Sequence, residues 1–156
     1  MTTKKMAIIA TKGTLDMAYP PFILASTAAA LGFEVQVFFT FYGLQLLRKD
    51  LSDVKISPLA NPAMPMPVPM PVMVQMLPGM ESMATMMMKQ KLKSKGVASL
   101  EELRSLCQEA DVKFIACQMT VDLFEFDKSD FIDGIEYGGA AMFLGFAGDT
   151  DICLFV

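Results

Sequence analysis

The stretch from Lys5 to Thr40 restricts the fold more than any other part of the chain. Lys5 to Ala10 reads KMAIIA and is bounded by Thr11-Lys12-Gly13, as a strand buried on both faces looks before a turn. Phe22 to Leu31 reads as a helix stopped by Gly32, where a left-handed residue ends helices well. Asp16 is a candidate cap, and the consecutive Pro20 and Pro21 set the expected helix start close to themselves, because proline is tolerated in a first turn. Glu34 to Thr40, EVQVFFT, is a second strand. Strand, helix and strand at this spacing predict a right-handed parallel crossover. Met17 to Phe33 carries no charge over 17 residues, at the lower margin for a membrane span. Its prolines and hydroxyl residues, with Asp16 and Glu34 close by, favour a buried helix.

Further along, a short helix follows Phe41-Tyr42-Gly43 and runs through Leu47 to about Asp50. Ile56 to Met80 then has no charged residue, and Pro65, Pro67, Pro69 and Pro71 alternate with Met64, Met66, Val68 and Met70. Proline at every second position excludes an interior helix or central strand. Residues 56–80 are therefore expected to form an extended, polyproline-like insertion arm within a single domain, 1–156. Glu81 to Lys95 resumes helical character, with Lys89, Lys91, Lys93 and Lys95 at its end and Gly96 beyond. Ser99 and Glu102 form a capping-box pattern, and Leu100, Leu103, Leu106 and Cys107 supply the apolar face of the helix that follows. Val112 to Gln118 (VKFIACQ) is a third strand, Gly134 to Tyr137 a short fourth, Gly138 to Phe146 a small-residue helix, and Asp151 to Val156 a closing strand. Strands alternating with helices predict an α/β protein with an open, mostly parallel sheet and helices on both faces.

Composition narrows the chemistry. With 156 residues, 53% hydrophobic and 19% charged, and a mean hydropathy of +0.42, the chain can build one real core. A net charge of -4 argues against nucleic acid as a partner. Histidine is absent, which removes Ser-His-Asp and Cys-His nucleophiles and His-dependent zinc sites. The three cysteines, Cys107, Cys117 and Cys153, contain no CxxC, so a reducing cytoplasm is expected rather than a disulfide framework. The apolar run after Lys4 and Lys5 is too short for a signal-peptide core. No cofactor and no metal are expected. Thr11-Lys12-Gly13-Thr14 lacks a dinucleotide or P-loop pattern, and Asp122 to Glu136 lacks EF-hand spacing. Met76, Met80, Met83 and Met87 have no His or Cys neighbours to suit copper(I), and their helical spacing favours packing or self-association.

Cys117 stands out as a candidate nucleophile. It lies near the carboxyl end of an expected parallel strand, directly before Gln118-Met119-Thr120. Ligands gather at that edge of open α/β sheets, and free backbone N–H groups there favour a thiolate. The residues alone leave two readings open, nucleophile or inert core cysteine. The N–H groups of Gln118, Met119 and Thr120 would stabilise an anion, while Thr11, Lys12 and Tyr42, on the turns after the first two strands, would border the pocket. Cys107 reads as packed core, with a second, resolving thiol as its alternative; Cys153 reads as core.

Three segments together resemble the DsrE/DsrF-like family of small sulfur-handling proteins: KKMAIIATKGTLDMAYPPFILASTAAALGFEVQVFFTFYG, VKFIACQMTVD and GGAAMFLGFAGDTDICLFV. The Met-Pro-rich insertion is similar to that of the branch often labelled peroxiredoxin-like. The resemblance covers nearly the whole chain. It implies an open sandwich of about five parallel strands, a homo-oligomer, and cytoplasmic transfer of sulfane sulfur through a cysteine persulfide. It maps the nucleophile onto Cys117, and it implies TusA-like sulfur carriers or rhodaneses as partners and leaves peripheral membrane contact open.

The expected function is thus a sulfur carrier or sulfurtransferase. Its rival is a non-catalytic module whose Met-Pro arm and Met-rich helix form an oligomeric or membrane-docking surface. Peroxide reduction is disfavoured, because the proline-preceded cysteine and arginine of peroxiredoxins are missing.

Overall fold

The computed structural model describes residues 2–57, Val68 and 71–156. Its strands are β1 (Lys5–Ala10), β2 (Glu34–Phe39), β3 (Lys113–Cys117), β4 (Glu136–Gly138) and β5 (Ile152–Phe155). They form a five-stranded sheet in the order β4-β3-β2-β1-β5, every pair parallel. The protein is therefore α/β with a wholly parallel sheet.

Strand order explains an unequal covering of the two faces. From β1 to β4 the chain steps sideways in one direction, and right-handed crossovers put those connections on one face. There α1 (Leu15–Ala30) packs against α4 (Leu100–Glu109) and the sheet. Phe22, Phe39 and Phe114 meet at ring-centroid distances of 5.3 to 5.9 Å, within a cluster that includes Met6, Ile8, Val35, Val37 and Cys107. The return from β4 to β5 runs the other way and puts α6 (Ala140–Ala147) on the opposite face. That face holds a smaller cluster of Ala7, Phe38, Ile115, Cys117 and Phe143, with Phe38 stacked on Phe143 at 5.1 Å.

Several elements depart from the sequence expectation for identifiable reasons. Helix α1 begins at Leu15, with Pro20 and Pro21 inside it. The two missing N–H groups remove only bonds to first-turn carbonyls, and that turn is held from outside. Leu15 N–H donates to Lys55 O at 2.7 Å, and the Ser57 N–H and hydroxyl donate to the Asp16 carboxylate. Asp16 thus receives a neighbouring loop, and Thr14 takes the N-cap position. The helix after β2 is a 3-10 segment that starts at Phe41 itself and ends at Leu47.

Of the arm expected over 56–80, residues 58–67, 69 and 70 lie outside the described residues, with Pro65, Pro67 and Pro69 among them. The described ends are not an extended arm. Ile56 is buried, and its N–H donates to the Thr85 hydroxyl at 3.1 Å. Val72–Gln75 forms one helical turn, α2, with Pro71 at its N-cap; no proline falls inside it, so nothing blocks the turn. Next, α3 (Met80–Ser94) buries Ala84 and Thr85.

Helix α4 carries the expected capping box, with Ser99 N–H donating to Glu102 Oε2 at 2.8 Å and Glu102 N–H to Ser99 Oγ at 3.2 Å. Its buried face differs: Leu106 is 49% exposed, and Arg104 turns inward. The Arg104 guanidinium donates to the carbonyls of Leu46 and Arg48 at 2.9 and 2.6 Å. Cys153 is exposed rather than core, because β5 is an edge strand and only the eight-residue α6 covers that face. No described helix is long and apolar enough to cross a membrane.

Candidate functional site

A parallel sheet presents all its carboxyl ends at one edge, where ligands bind in open α/β folds. Cys117 ends β3 there and serves as the N-cap residue of α5 (Gln118–Leu123). Strand alternation turns it to the α6 face beside Ile115, and it is 5% exposed. Its β4 partner is Gly138. A Cβ at Gly138 would collide with the Met142 side chain, so that glycine makes room for a flexible thioether beside the cysteine.

The polar surroundings come from two strand ends. Phe39 pairs with Ala116, so the next residue of β2's chain, Thr40, stands beside Cys117. Thr40 Oγ1 and Thr120 Oγ1 lie 3.2 Å apart, and Phe41 N–H donates to Thr120 Oγ1 at 3.2 Å. Thr120 is fully buried. Because its oxygen accepts from Phe41, its one hydroxyl proton is left for Thr40 or for the sulfur. Phe41 holds a left-handed φ of 49°, a conformation that costs a non-glycine residue about 1–3 kcal/mol.

These groups decide the state of the thiol. Burial pushes the Cys117 thiol up. The Thr120 hydroxyl and N–H, the Thr40 hydroxyl and the Met119 N–H outweigh it and hold the thiol below its ordinary value. Cys107 shows the opposite result. Its Sγ donates to Phe22 O at 3.4 Å, and burial pushes the thiol up to about 12. It belongs to the cluster on the α1 face, whereas Cys117 belongs to the α6 face. The sheet therefore lies between the two thiols, and within one chain Cys107 packs in the core without facing Cys117.

The other sequence candidates are distributed around this edge. Thr120 lies against the sulfur, and Met119 is largely exposed. The Gln118 amide donates to Asp122 Oδ1 at 2.7 Å, so that side chain lies along α5. Tyr42 is 66% exposed and stacks on Phe124 with centroids 6.2 Å apart. Thr11 and Lys12 follow β1, two strands from β3, or about 10 Å by strand spacing. The Thr11 N–H and hydroxyl both donate to Val156 O, and Lys12 is exposed. The turns after β1 and β2 are locked together: a Cβ at Gly13 would strike the Tyr42 carbonyl, and one at Gly43 the Ala10 carbonyl.

Sequence reasoning missed Thr40, Phe41 and Phe124. Thr40 had a usable signal, since any residue following a neighbouring parallel strand shares the edge with Cys117. Among the described residues no group of three or more His, Cys, Asp or Glu could hold a metal ion. A cleft of about 400 Å³ lined by Leu15, Tyr19, Leu92 and Leu100 lies among α1, α3 and α4 and shares no residue with the Cys117 site.

Comparison with known proteins places this geometry in context. A model of the DsrE/DsrF/DrsH-like family matches residues 2–155. The chain is 69% identical over 160 residues to the sulfur carrier protein DsrE2 of Allochromatium vinosum, covering 100% of both chains. It is 33% identical over 158 residues to the uncharacterized protein YrkE of Bacillus subtilis, covering 99% of this chain and 98% of that one. Among solved structures, the ychN protein from E. coli superposes with a TM-score of 0.57, covering 99% of this chain and 100% of that chain, at 11% identity. That last likeness is one of fold.

Proposed function

The chain belongs to the DsrE/DsrF/DrsH-like family, and from that premise we propose that it is a cytoplasmic sulfur carrier working through Cys117. The Cys117 thiolate attacks the outer sulfur of a donor persulfide. The donor's S–S bond breaks, its thiolate leaves, and Cys117 becomes a persulfide with no net oxidation. Attack on that outer sulfur by an acceptor thiolate reverses the step and returns Cys117. What carries this reading is the donor set around the sulfur, two hydroxyls and two N–H groups that favour the thiolate and outweigh the effect of burial. The relative's name, sulfur carrier protein, supports the same reading. Met142, packed against Gly138 beside Cys117, has an unbranched side chain that can swing aside.

The test is intact-mass analysis after polysulfide treatment of a Cys153→Ser protein, which removes the exposed thiol. Gain of sulfur that disappears in Cys117→Ser/Cys153→Ser supports the reading. No gain, or equal loading of the double variant, overturns it.

The partners we propose are a second copy of the chain and a TusA-like carrier or rhodanese. In support of the first, the thinly covered face leaves Cys153, Leu144 and Phe155 exposed. Sedimentation reads the assembly directly. A second reading, contact with a membrane surface, draws on a different region. Met73, Met76, Leu77, Met86 and Met87 are exposed, and Lys89, Lys91, Lys93 and Lys95 follow them, an apolar surface beside positive charge that suits anionic lipid. Co-sedimentation with anionic but not neutral vesicles supports this second reading, and binding to neither or to both counts against it.

A further inference from the structure

Phe41, Tyr42 and Phe124 form an exposed aromatic surface at the edge that carries Cys117. Tyr42 lies nearly parallel to Phe124, at 15°, and Phe41 meets Phe124 edge-on, at 80°. The surface is joined to the sulfur by a short path: Phe41 N–H donates to Thr120 Oγ1, and the Thr120 hydroxyl and N–H face the sulfur. Phe124 is the C-cap residue of α5, and Cys117 its N-cap, so the six-residue helix sets them about 10 Å apart. Carboxylates lie on both sides of Phe124 along the chain. Asp122, Glu125 and Asp127 are exposed, and none of them is in a salt bridge among the described residues. Of the basic side chains in the region, Lys128 lies over the Tyr137 ring at 4.3 Å, Arg48 donates to Gln45 Oε1 at 3.4 Å, Lys49 follows it on the chain, and Lys12 stands on the turn after β1. None is in a salt bridge with these carboxylates among the described residues.

An exposed aromatic face with neighbouring carboxylates that are in no ion pair among the described residues attracts cations, by ring quadrupole and by charge together. We propose that this surface docks a basic side chain of the protein that exchanges sulfur with Cys117, an arginine or lysine about three residues from that partner's own cysteine. Three extended residues span about 10 Å, which matches the rise along the helix from Cys117 to Phe124. The inference rests on Cys117 being the reacting thiol, and it names the partner chemistry that this site selects.

The experiment uses the full chain as Cys153→Ser and three tetrapeptides, Cys-Gly-Gly-Arg, Cys-Gly-Gly-Gln and Cys-Gly-Gly-Glu, each carried as a mixed disulfide with thionitrobenzoate. Cys117 attacks the peptide sulfur and expels the low-pKa thionitrobenzoate thiolate, which is read by absorbance; the exchange is redox-neutral. The arginine peptide should react about tenfold faster than the glutamate peptide at low ionic strength, with the glutamine peptide between them. The gap should narrow severalfold near 1 M salt. Tyr42→Ala and Glu125→Gln should each lower the arginine-to-glutamine rate ratio severalfold, whereas Glu101→Gln and Glu109→Gln on α4 should leave the ratio unchanged. Equal rates for the three peptides overturn the proposal while leaving Cys117 as the reactive thiol. It is overturned in the same way if the α4 variants lower the ratio as much as Glu125→Gln. Absence of reaction with every peptide and with iodoacetamide overturns both this inference and the sulfur-carrier reading.

Discussion

Cys107 and Cys117 are both withdrawn from water, at 0% and 5% exposure, yet their thiols are driven in opposite directions. Around Cys107 the neighbours are aromatic and aliphatic groups, and its Sγ donates to the Phe22 carbonyl, which stabilises the S–H form. The single backbone hydrogen bond at Ser26 that favours the anion is outweighed by burial. Around Cys117 the contacts are donors, and donors stabilise the anion. Burial sharpens both outcomes, because a low dielectric strengthens whichever hydrogen bonds remain. Depth in the fold is therefore a poor guide to a thiol's acidity, and the number of donors set against burial is a better one.

The strongest way to break the contrast is to open the sealed side. Phe22→Ala removes a ring shared by two aromatic contacts and should cost about 3–5 kcal/mol in urea denaturation, with Cys107 becoming open to alkylation in the destabilised protein. On the other side, Thr40→Val deletes one of the hydrogen bonds that hold the Cys117 thiol below its ordinary value and should lower the alkylation rate of Cys117 at neutral pH by about tenfold or more. Thr40→Ser should restore it, which a purely structural role for the methyl group does not predict.

The pH dependence of stability separates the thiols further. As pH rises past the ordinary thiol value of 9.0 toward about 12, the unfolded chain ionises Cys107 and the folded chain does not, so stability falls across that window. Cys107→Ala should flatten the decline in urea midpoint. Cys117 acts with the opposite sign. Its stabilisation is fully present above the unfolded thiol's value and is lost as pH falls through the lower folded one. The smallest effect belongs to Cys153→Ser, which should change stability by less than about 0.5 kcal/mol while removing the exposed thiol.

Much of this architecture was legible in the sequence because it rests on local signals. KMAIIA and EVQVFF have the apolar density of doubly covered strands, and Ser99 with Glu102 states a helix start in four residues. Signals that depend on distant partners were not legible. The prolines marked a late start for α1 because nothing local shows Lys55 and Ser57 holding its first turn. Cys153 looked like core because its strand is hydrophobic, and its exposure follows from strand order and from the shortness of α6. The position of Cys117 was readable from its strand end, but Thr40 became its neighbour only through the register of β2 against β3. Leu106 and Arg104 exchanged roles because two carbonyls after β2 needed a donor more than the core needed another leucine.

The mutual contact at Gly13 and Gly43 has a mechanical consequence. With each backbone pressed against the other's carbonyl, the loops beyond the first two strands behave as one stiff jamb. A docking molecule that needs more clearance at the sulfur has to find it on the opposite post, the short helix Gln118–Leu123 with its methionine, beyond which Glu125 sits at a φ of 53°.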